Sequence, residues 1–348
     1  MKIGTVQLDS PFVISPMAGM TDTAFRRLVK RQGGCGLVVS EMVSSEGLVR
    51  GIDRTLEYAE YTEEERPVSI QIFGGEPARM AEAARVVEAM GANIVDVNMG
   101  CPVPKISRHN AGCSLMREPG HAAEIIAAMT RAVTIPVTVK MRKGWDAGEV
   151  NAPELAKRVE GAGAAAIAVH GRTAEQSYSG SADWDVVAGI ARSVSIPVFG
   201  SGDCVEPEDI VARMQSGVSG VFVGRGVLRN PWILAQAQDL MAGLPARVVT
   251  DEDRGQFLLD YMGLLLADEL GEQEGFRHLV IQATRPRPVD SKERWVINKL
   301  RALCAWYSKG FEGGAQFRIG VNSAKSIAEV EALIANFFLR EAGLTPSK

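Results

Sequence analysis

Short apolar runs alternate with amphipathic stretches through the first two thirds of the chain. Eight runs are rich in valine and isoleucine and nearly continuous in apolar residues, which is typical of parallel strands covered on both faces. The predicted strands are residues 12–17, 37–43, 68–73, 94–99, 137–141, 166–170, 198–202 and 221–224. A sheet with helices on its faces is the expected architecture.

Helical periodicity separates most of these strands. The predicted helices are residues 23–31, 77–90, 122–132, 152–161, 184–192 and 207–216. In the second of them Met80, Ala84 and Val87 fall on one stripe, and Gly91 provides a stop. Eight strand–helix alternations in about 230 residues favour a (β/α)8 TIM barrel over an open doubly wound sheet. No GxGxxG motif follows the first strand, which weakens the dinucleotide-binding alternative.

Beyond Trp232 the strand pattern stops. Residues 242–245 are typical of a linker, and residues 251–270, 292–309 and 326–339 have helical periodicity, with a proline-rich turn at 285–288 between them. We therefore predict two domains. Residues 1–242 form the α/β barrel, and residues 243–348 form a smaller, all-α helical domain.

Composition limits the class of protein. The chain has 348 residues and 46% hydrophobic content, enough for a full barrel core. Its five cysteines are odd in number and form no CxxC pair, so neither a disulfide framework nor a metal site is expected. The residues before the first strand show neither an apolar stretch flanked by basic residues nor a signal cleavage pattern, and no stretch approaches the roughly 20 apolar residues that cross a bilayer. We expect a cytoplasmic protein with no membrane segment.

The charge is unevenly distributed. The whole chain carries −4, but residues 277–325 contain ten Lys/Arg against three acids, a local balance of +7 on a body of −11. A basic segment on an acidic body is expected where one part binds a polyanion such as RNA. An ordinary solvated helix face is the alternative.

Cys101 follows an apolar strand directly, in the turn Gly100-Cys101-Pro102. Strand ends followed by tight turns are where barrels present reactive side chains, because the sheet fixes them and the loop opens them to a ligand. A thiol held there can donate a proton. The alternative is a buried cysteine that packs as a small hydrophobe.

Other strand ends are also polar, which suits a large polar cofactor. Gly200-Ser-Gly-Asp203 and Gly224-Arg225 follow the last two strands, where barrels usually bind phosphate, although the glycines could serve only tight turns. Lys140 closes a buried strand, which is costly without a polar partner. His170 ends the next strand, and it is either a hydrogen-bonded core histidine or, with Lys140, part of a shared ligand site.

Several motifs, in order, resemble those of the tRNA-dihydrouridine synthase family. They are Ser15-Pro-Met-Ala-Gly-Met-Thr-Asp22, Gln71-Ile-Phe-Gly74, Asp96-Val-Asn-Met-Gly-Cys-Pro102 with Lys105, Val139-Lys-Met-Arg142, His170-Gly-Arg-Thr173, Gly224-Arg225 and Trp306-Tyr-Ser-Lys-Gly310. One such motif is weakly specific, but the ordered set is highly specific. The resemblance covers most of the chain.

The resemblance implies an FMN-dependent oxidoreductase. Its flavin is reduced by NADPH (or NADH) and passes hydride to C6 of a tRNA uridine, while Cys101 protonates C5. The implied cofactor contacts are Pro16, Met17, Ala18, Gln71, Lys140, His170, Ser201, Gly202, Asp203, Gly224 and Arg225. The implied substrate contacts are Asn98, Lys105, Arg142 and Arg172. A monomer is also implied.

Two positions depart from the family pattern. Ser201 stands where the family usually has asparagine, and its hydroxyl and small size should preserve phosphate binding. Leu303 stands where the family often has histidine, which affects the expected details of tRNA contact.

Two other functions compete with this one. A flavin reductase for a free pyrimidine or small enone, related to dihydroorotate dehydrogenases, would leave the basic helical segment unexplained. A noncatalytic RNA-binding module would leave Cys101 and Lys140 unexplained. The motifs do not say which uridine is reduced or which nicotinamide nucleotide is preferred.

Overall fold

Eight parallel strand positions form the centre of the computed structural model, which describes residues 1–107, 110–267 and 289–339. The strands are Phe12–Ile14, Val38–Val39 continued by Val43–Ser44, Val68–Phe73, Ile94–Met99, Val137–Gly144, Ala166–Thr173, Val198–Ser201 and Gly220–Val223. Each pairs in parallel with its neighbours in chain order, and the last strand pairs with the first.

The sheet closes between its first two strands. Val13 and Leu37 form a parallel bridge, and Gly36 N donates to Phe12 O at 2.9 Å. Residues such as Val97, Val139 and Ile167 are fully buried, because helices cover the outside of every part of the barrel. The predicted (β/α)8 barrel is confirmed. All its strands therefore end at one rim.

Helices connect the strands much as the periodicity predicts. They are Thr23–Gln32, Ser45–Val49, Asp53–Ala59, Pro77–Ala89, Pro104–Ser107, Pro119–Ala132, Ala152–Gly161, Trp184–Ala191, Pro207–Met214, Arg225–Arg229 and Ile233–Met241. Helix Pro77–Ala89 buries Met80, Ala84 and Val87 as expected, and Gly91 follows it with φ +83°, a conformation that glycine adopts without steric cost.

Four further helices confirm the predicted helical C-terminal region. They are Asp251–Leu266, Val289–Tyr307, Gly314–Ser323 and Ile327–Phe338, which we call the C-terminal helices. They pack on the barrel through aromatic side chains: Phe257 and Tyr261 contact the ring of Phe25 edge-on, with centroids 6.1 and 6.4 Å apart. The predicted proline-rich turn at 285–288 lies outside the described residues, and the domain boundary at 242 stays a prediction.

The strand prediction at residues 37–43 is wrong in one respect. The second strand is interrupted, because Ser40 Oγ, rather than a backbone carbonyl, accepts the hydrogen bond of Gln71 N at 3.0 Å. The fifth and sixth strands also run further than predicted, to Gly144 and Thr173. An N-terminal hairpin, Lys2–Ile3 with Val6–Gln7, was too short to be recognised from its pattern, and Ile3 packs inside the barrel floor.

No helix within the described ranges is long and apolar enough to cross a membrane.

A buried ion pair anchors the first barrel helix. Arg26 Nε lies 2.6 Å from Glu65 Oε1, and both side chains are almost completely buried. The other guanidinium nitrogens of Arg26 donate to Thr21 O and Glu60 O, at 2.8 and 2.7 Å. Fully hydrogen-bonded geometry of this kind is what makes a buried charge tolerable.

We predict that Glu65→Ala destabilises the protein by about 3–5 kcal/mol, because it leaves the Arg26 guanidinium buried without its counter-charge. Urea unfolding measures the effect. Arg158→Ala is the control, since it removes an exposed pair with Glu154 and should cost about 0.5 kcal/mol. Equal losses in the two variants would contradict this interpretation.

Candidate active site

A cavity of 540 Å³ opens at the rim where the strands end. Its volume lies in the range of roughly 300–1,000 Å³ that is typical of small-molecule and cofactor sites. The predicted site residues that line it are Pro16, Met17, Ala18, Gln71, Asn98, Cys101, Lys140, Arg142, His170, Ser201, Gly202, Asp203, Gly224 and Arg225. The structure thus brings nearly all of the expected residues into one cavity.

Parallel register explains why they meet. Asn98 is paired with Lys140 on the next strand, and Arg142 is paired with His170. His170 is paired in turn with Ser201. Side chains at equal height on neighbouring strands point to the same region of the rim, so residues as distant in sequence as Asn98 and Ser201 line one cavity.

A chain of hydrogen bonds runs from the barrel interior to the cysteine. Gln71 Nε2 donates to Asp96 Oδ2 at 2.7 Å, and Asn98 Nδ2 donates to Gln71 Oε1 at 2.7 Å. Asn98 Oδ1 then accepts from Cys101 N at 2.9 Å and Gly100 N at 3.1 Å. Each amide is fixed in one orientation by the next, so the turn that carries the thiol is held in place.

Asp96, at the inner end of this chain of hydrogen bonds, is a residue that the pattern did not single out. It is 5% exposed, and its other oxygen accepts from Thr138 Oγ1 at 2.6 Å. Burial raises the pKa of the Asp96 carboxyl to about 6, although the hydrogen bonds from Thr138 and Gln71 and the charge of Lys140 oppose the rise. A polar residue inside an apolar strand was the available signal, because burying it requires partners.

Lys140 places a cation at the floor of the cavity. Among the described residues its ammonium group has no hydrogen-bonded acceptor or ion-pair partner. Burial, with the nearby charge of Arg142, lowers the pKa of Lys140 to about 8, while Asp96 acts in the opposite direction. Lys140 is half-buried, and an ammonium group in the cavity without a partner from the protein favours a ligand that brings an acceptor or a negative charge.

Two buried side-chain nitrogens lie near Gly202, which follows the seventh strand. His170 Nε2 and Arg172 Nη1 have no hydrogen-bond partner among the described residues. Both lie 3.6 Å from the point where a Cβ on Gly202 would stand, and Gly202 has φ +123°. A side chain there would fill the space that these groups border. The backbone of Gly202 and the two unpaired nitrogens together form a site that suits an anion or a polar ligand.

His170 is held neutral. Burial and the charges of Lys140, Arg142, Arg172 and Arg225 lower its pKa to about 2. Its ring therefore contributes hydrogen bonding rather than charge.

Arg172 and Lys105 do not line the cavity. Arg172 is 2% exposed and donates to Ser179 O at 3.0 Å and to Asp203 Oδ1 at 2.7 Å, so it shapes the loops behind the site. Burial alone would raise the pKa of Asp203, but hydrogen bonds from Ala182 N and Arg172 hold it below its usual range. Lys105 lies exposed on the short helix Pro104–Ser107, outside the cavity mouth.

Some lining residues were not foreseen from the pattern. Tyr178 and Val205 are 58% and 39% exposed at the mouth, and the Arg225 guanidinium lies 4.7 Å from the Tyr178 ring centroid. Tyr178 follows the sixth strand in a loop that has no sequence signal beyond its exposed aromatic residue. Met17 and Met42 add apolar wall, whereas Met99 lies in the core.

Within the described residues no group of three or more His, Cys, Asp or Glu side chains could hold a metal ion. The site has an apolar wall that includes Met17 and Met42, and the ammonium group of Lys140 lies at its floor. At one end lie the unpaired nitrogens of His170 and Arg172. These features suit an elongated cofactor with a polar ring and an anionic group.

Fold and site together define a TIM-barrel protein with a cofactor-sized pocket and a thiol at its mouth. The dihydrouridine synthase (Dus) family model matches residues 13–342, and the chain belongs to the dihydrouridine synthase family.

Individual relatives agree with this assignment. A probable tRNA-dihydrouridine synthase of Rhodobacter capsulatus is 42% identical over 80% of this chain and 88% of its own length. The corresponding protein of Rickettsia conorii is 38% identical over 97% of this chain and 96% of its own. A solved structure of 2-naphthoyl-CoA reductase with 2-naphthoyl-CoA has a TM-score of 0.54 at 13% identity, over 70% of this chain and 52% of its own, a likeness of fold alone.

We predict that Cys101 is the first thiol to react with iodoacetamide in the native protein. It is partly exposed, whereas Cys35, Cys113, Cys204 and Cys304 are buried. Burial raises the pKa of Cys113 to about 11 and of Cys304 to about 12, and the thiolate is the reactive form. Peptide mapping after brief alkylation identifies the labelled residue.

Cys101→Ala should abolish the fast phase and leave only slow labelling. A fast phase that persists in this variant, or that maps to Cys204 or Cys35, would show that the thiol at the mouth is not the accessible one.

Proposed function

We propose that this protein is a tRNA-dihydrouridine synthase that uses FMN and NADPH (or NADH) to reduce the C5–C6 bond of uridine in tRNA. The family assignment supports the reaction. The observation that carries the proposal is the position of Cys101, which is fixed by Asn98 at the mouth of a cofactor-sized cavity. Lys140 and His170 place polar groups in the same cavity, where they can contact the cofactor.

The residues present fit FMN. Gly202 and Gly224 leave backbone exposed for a phosphate group, Arg225 adds a positive charge, and Arg172 Nη1 is an unpaired donor beside them. Lys140 suits the polar edge of the isoalloxazine ring. Pro16, Met17 and Ala18 offer an apolar wall for its face. Bound there, FMN would accept hydride from the nicotinamide donor and deliver it to C6 of the uracil.

Cys101 completes the reduction. Addition of hydride at C6 leaves negative charge at C5 and on the adjacent carbonyl, which a proton must neutralise. The Cys101 thiol gives that proton to C5, and the resulting thiolate recovers one from solvent. Uracil thereby gains one hydride at C6 and one proton at C5, its C5–C6 π bond is lost, and the other bonds of the ring are unchanged.

Other residues hold the substrate side of the site. Arg142 donates to Gly100 O, Thr173 O and Ser177 O, so its contribution is to brace the cysteine turn against the fifth and sixth strand ends. Asn98 fixes the same turn from the other side. Lys105, exposed beyond the mouth, is suited to an RNA phosphate rather than to the base.

The C-terminal helices give the protein a surface for RNA. Exposed basic residues on or beside them include Arg294, Lys309 and Lys325. Phosphate contacts of this kind position a nucleic acid without reading its sequence. A uridine must leave its stack to enter a cavity this deep, and contacts to the surrounding backbone offset part of that cost.

We predict that Cys101→Ala lowers the rate of dihydrouridine formation by about 10²–10⁴-fold, the usual contribution of a positioned acid. The FMN content should stay unchanged. Mass spectrometry of tRNA nucleosides after reaction gives the rate. Cys304→Ala is the matched control, because that cysteine is buried among the C-terminal helices and should react at the normal rate. Normal turnover by Cys101→Ala would refute the acid role.

We predict that FMN affinity falls as pH rises past about 8. In the free protein the Lys140 ammonium loses its proton near that pH, and a ligand that accepts from it holds the proton more tightly. Affinity should therefore be level below the free pKa and decline by up to about tenfold per unit above it. Titrations that follow flavin fluorescence measure this profile.

Lys140→Arg should flatten the profile, because arginine stays charged throughout this range. Lys140→Met should bind weakly at every pH. A wild-type affinity that does not change with pH would contradict the role of Lys140.

A further inference from the structure

The turn after the first strand forms one wall of the cavity. Residues 16–22, which we call the wall turn, contribute Pro16, Met17, Ala18 and Met20 to the lining. Thr21 N and Met20 N both donate to Met17 O, at 3.1 and 3.0 Å, so the turn is internally hydrogen-bonded at its base. Its tip depends on contacts from elsewhere.

Gly19 at the tip is held on both sides. Its N–H donates to Glu41 Oε2 at 2.5 Å, and its carbonyl accepts from Lys299 Nζ at 2.6 Å. Glu41 is 5% exposed and belongs to the interrupted second strand of the barrel. Lys299 belongs to helix Val289–Tyr307, one of the C-terminal helices. Gly19 has φ +80° and is exposed, so these two contacts restrain the most adaptable residue of the turn.

Lys299 is itself fixed by charge. Its Nζ lies 2.8 Å from Asp22 Oδ2, at the other end of the wall turn, and the two side chains are 16% and 17% exposed. Tyr261 Oη donates to the same Asp22 oxygen at 2.8 Å. Asp22 Oδ1 meanwhile accepts from Phe25 N and caps helix Thr23–Gln32. Ion pairs this well shielded from solvent are screened much less than surface pairs.

Tyr261 and Lys299 contact different parts of the wall turn. The Tyr261 hydroxyl donates to Asp22, at the end of the wall turn, whereas Lys299 contacts both Asp22 and the carbonyl at the tip. Within the described residues, Lys299 is the group of the C-terminal helices whose hydrogen bond reaches the tip. Removing it would leave Gly19 tied to Glu41 alone.

We propose that Lys299 is a positioning residue that sets the shape of the cofactor wall, and so makes the flavin site depend on the docking of the C-terminal helices. The inference rests on the proposed function in taking FMN as the ligand. Lys299 acts through the Gly19 carbonyl, and the residues it places are Met17 and Ala18.

The test measures FMN binding to apo-protein by fluorescence quenching, with full-length variants. Lys299→Met keeps the aliphatic stem but removes the ammonium group, and with it the contacts to Gly19 and Asp22. FMN binding should weaken by about tenfold, because these charged contacts no longer hold the wall turn in the shape that binds FMN. Lys299→Arg should restore most of the affinity. Lys157→Met removes the same charge from an exposed position on the barrel helix Ala152–Gly161, which takes no part in the proposed site, and should leave FMN affinity unchanged.

Tyr261→Phe distinguishes an effect of Lys299 on the tip of the wall turn from a general weakening of the contact between the C-terminal helices and the barrel. It removes the hydroxyl contact to Asp22 but leaves Lys299 on Gly19, so FMN affinity should stay within about twofold of wild type. Thermal unfolding of each apo-variant shows whether it is folded.

Three outcomes overturn the inference: wild-type affinity in folded Lys299→Met, equal losses in Lys299→Met and Tyr261→Phe, or an equal loss in Lys157→Met. Failure of the wild-type protein to bind FMN would instead refute the proposed function.

Discussion

The hydrogen-bonded chain from Asp96 through Gln71 and Asn98 to the Cys101 turn is the constraint on which the site depends. Its three polar side chains, Asp96, Gln71 and Asn98, are 9% exposed or less, so each of their polar atoms needs its partner. The barrel meets that need through register, since Gln71 and Asp96 are paired across neighbouring strands. A slip of one residue would reverse which side chains face inward and would dismantle the chain. The placement of the thiol therefore depends on the register of these two strands.

The rest of the mouth is organised around positive charge and unpaired donors. Lys140, Arg142, Arg172 and Arg225 surround a neutral His170, and their mutual repulsion in a buried site costs free energy. Asp203 offsets part of it by pairing with Arg172. A ligand with negative charge or acceptor atoms would relieve the remainder. This imbalance is a property of a binding site rather than of a core.

Much of this could be predicted from the sequence, because it depends on local pattern. The barrel follows from alternating strands and helices, and the site follows from polar residues at strand ends. Arg172 shows the limit: it sits at a strand end like the others, yet it lies behind the cavity lining, where Nε and Nη2 brace loop carbonyls and only Nη1 is left beside Gly202. The contact of Lys299 with Gly19 joins residues 280 positions apart and has no local signal. The interruption of the second strand depends on one serine hydroxyl.

The central claim is that a reduced flavin in the barrel mouth and the thiol of Cys101 act together on a tRNA uridine. The most direct test is to mix protein that carries reduced FMN with tRNA that lacks dihydrouridine, without oxygen, and to follow the flavin absorbance over time. We expect the flavin to be reoxidised with formation of one dihydrouridine per flavin. Reduced flavin that stays reduced in the presence of tRNA, or that is reoxidised without dihydrouridine, would contradict the account.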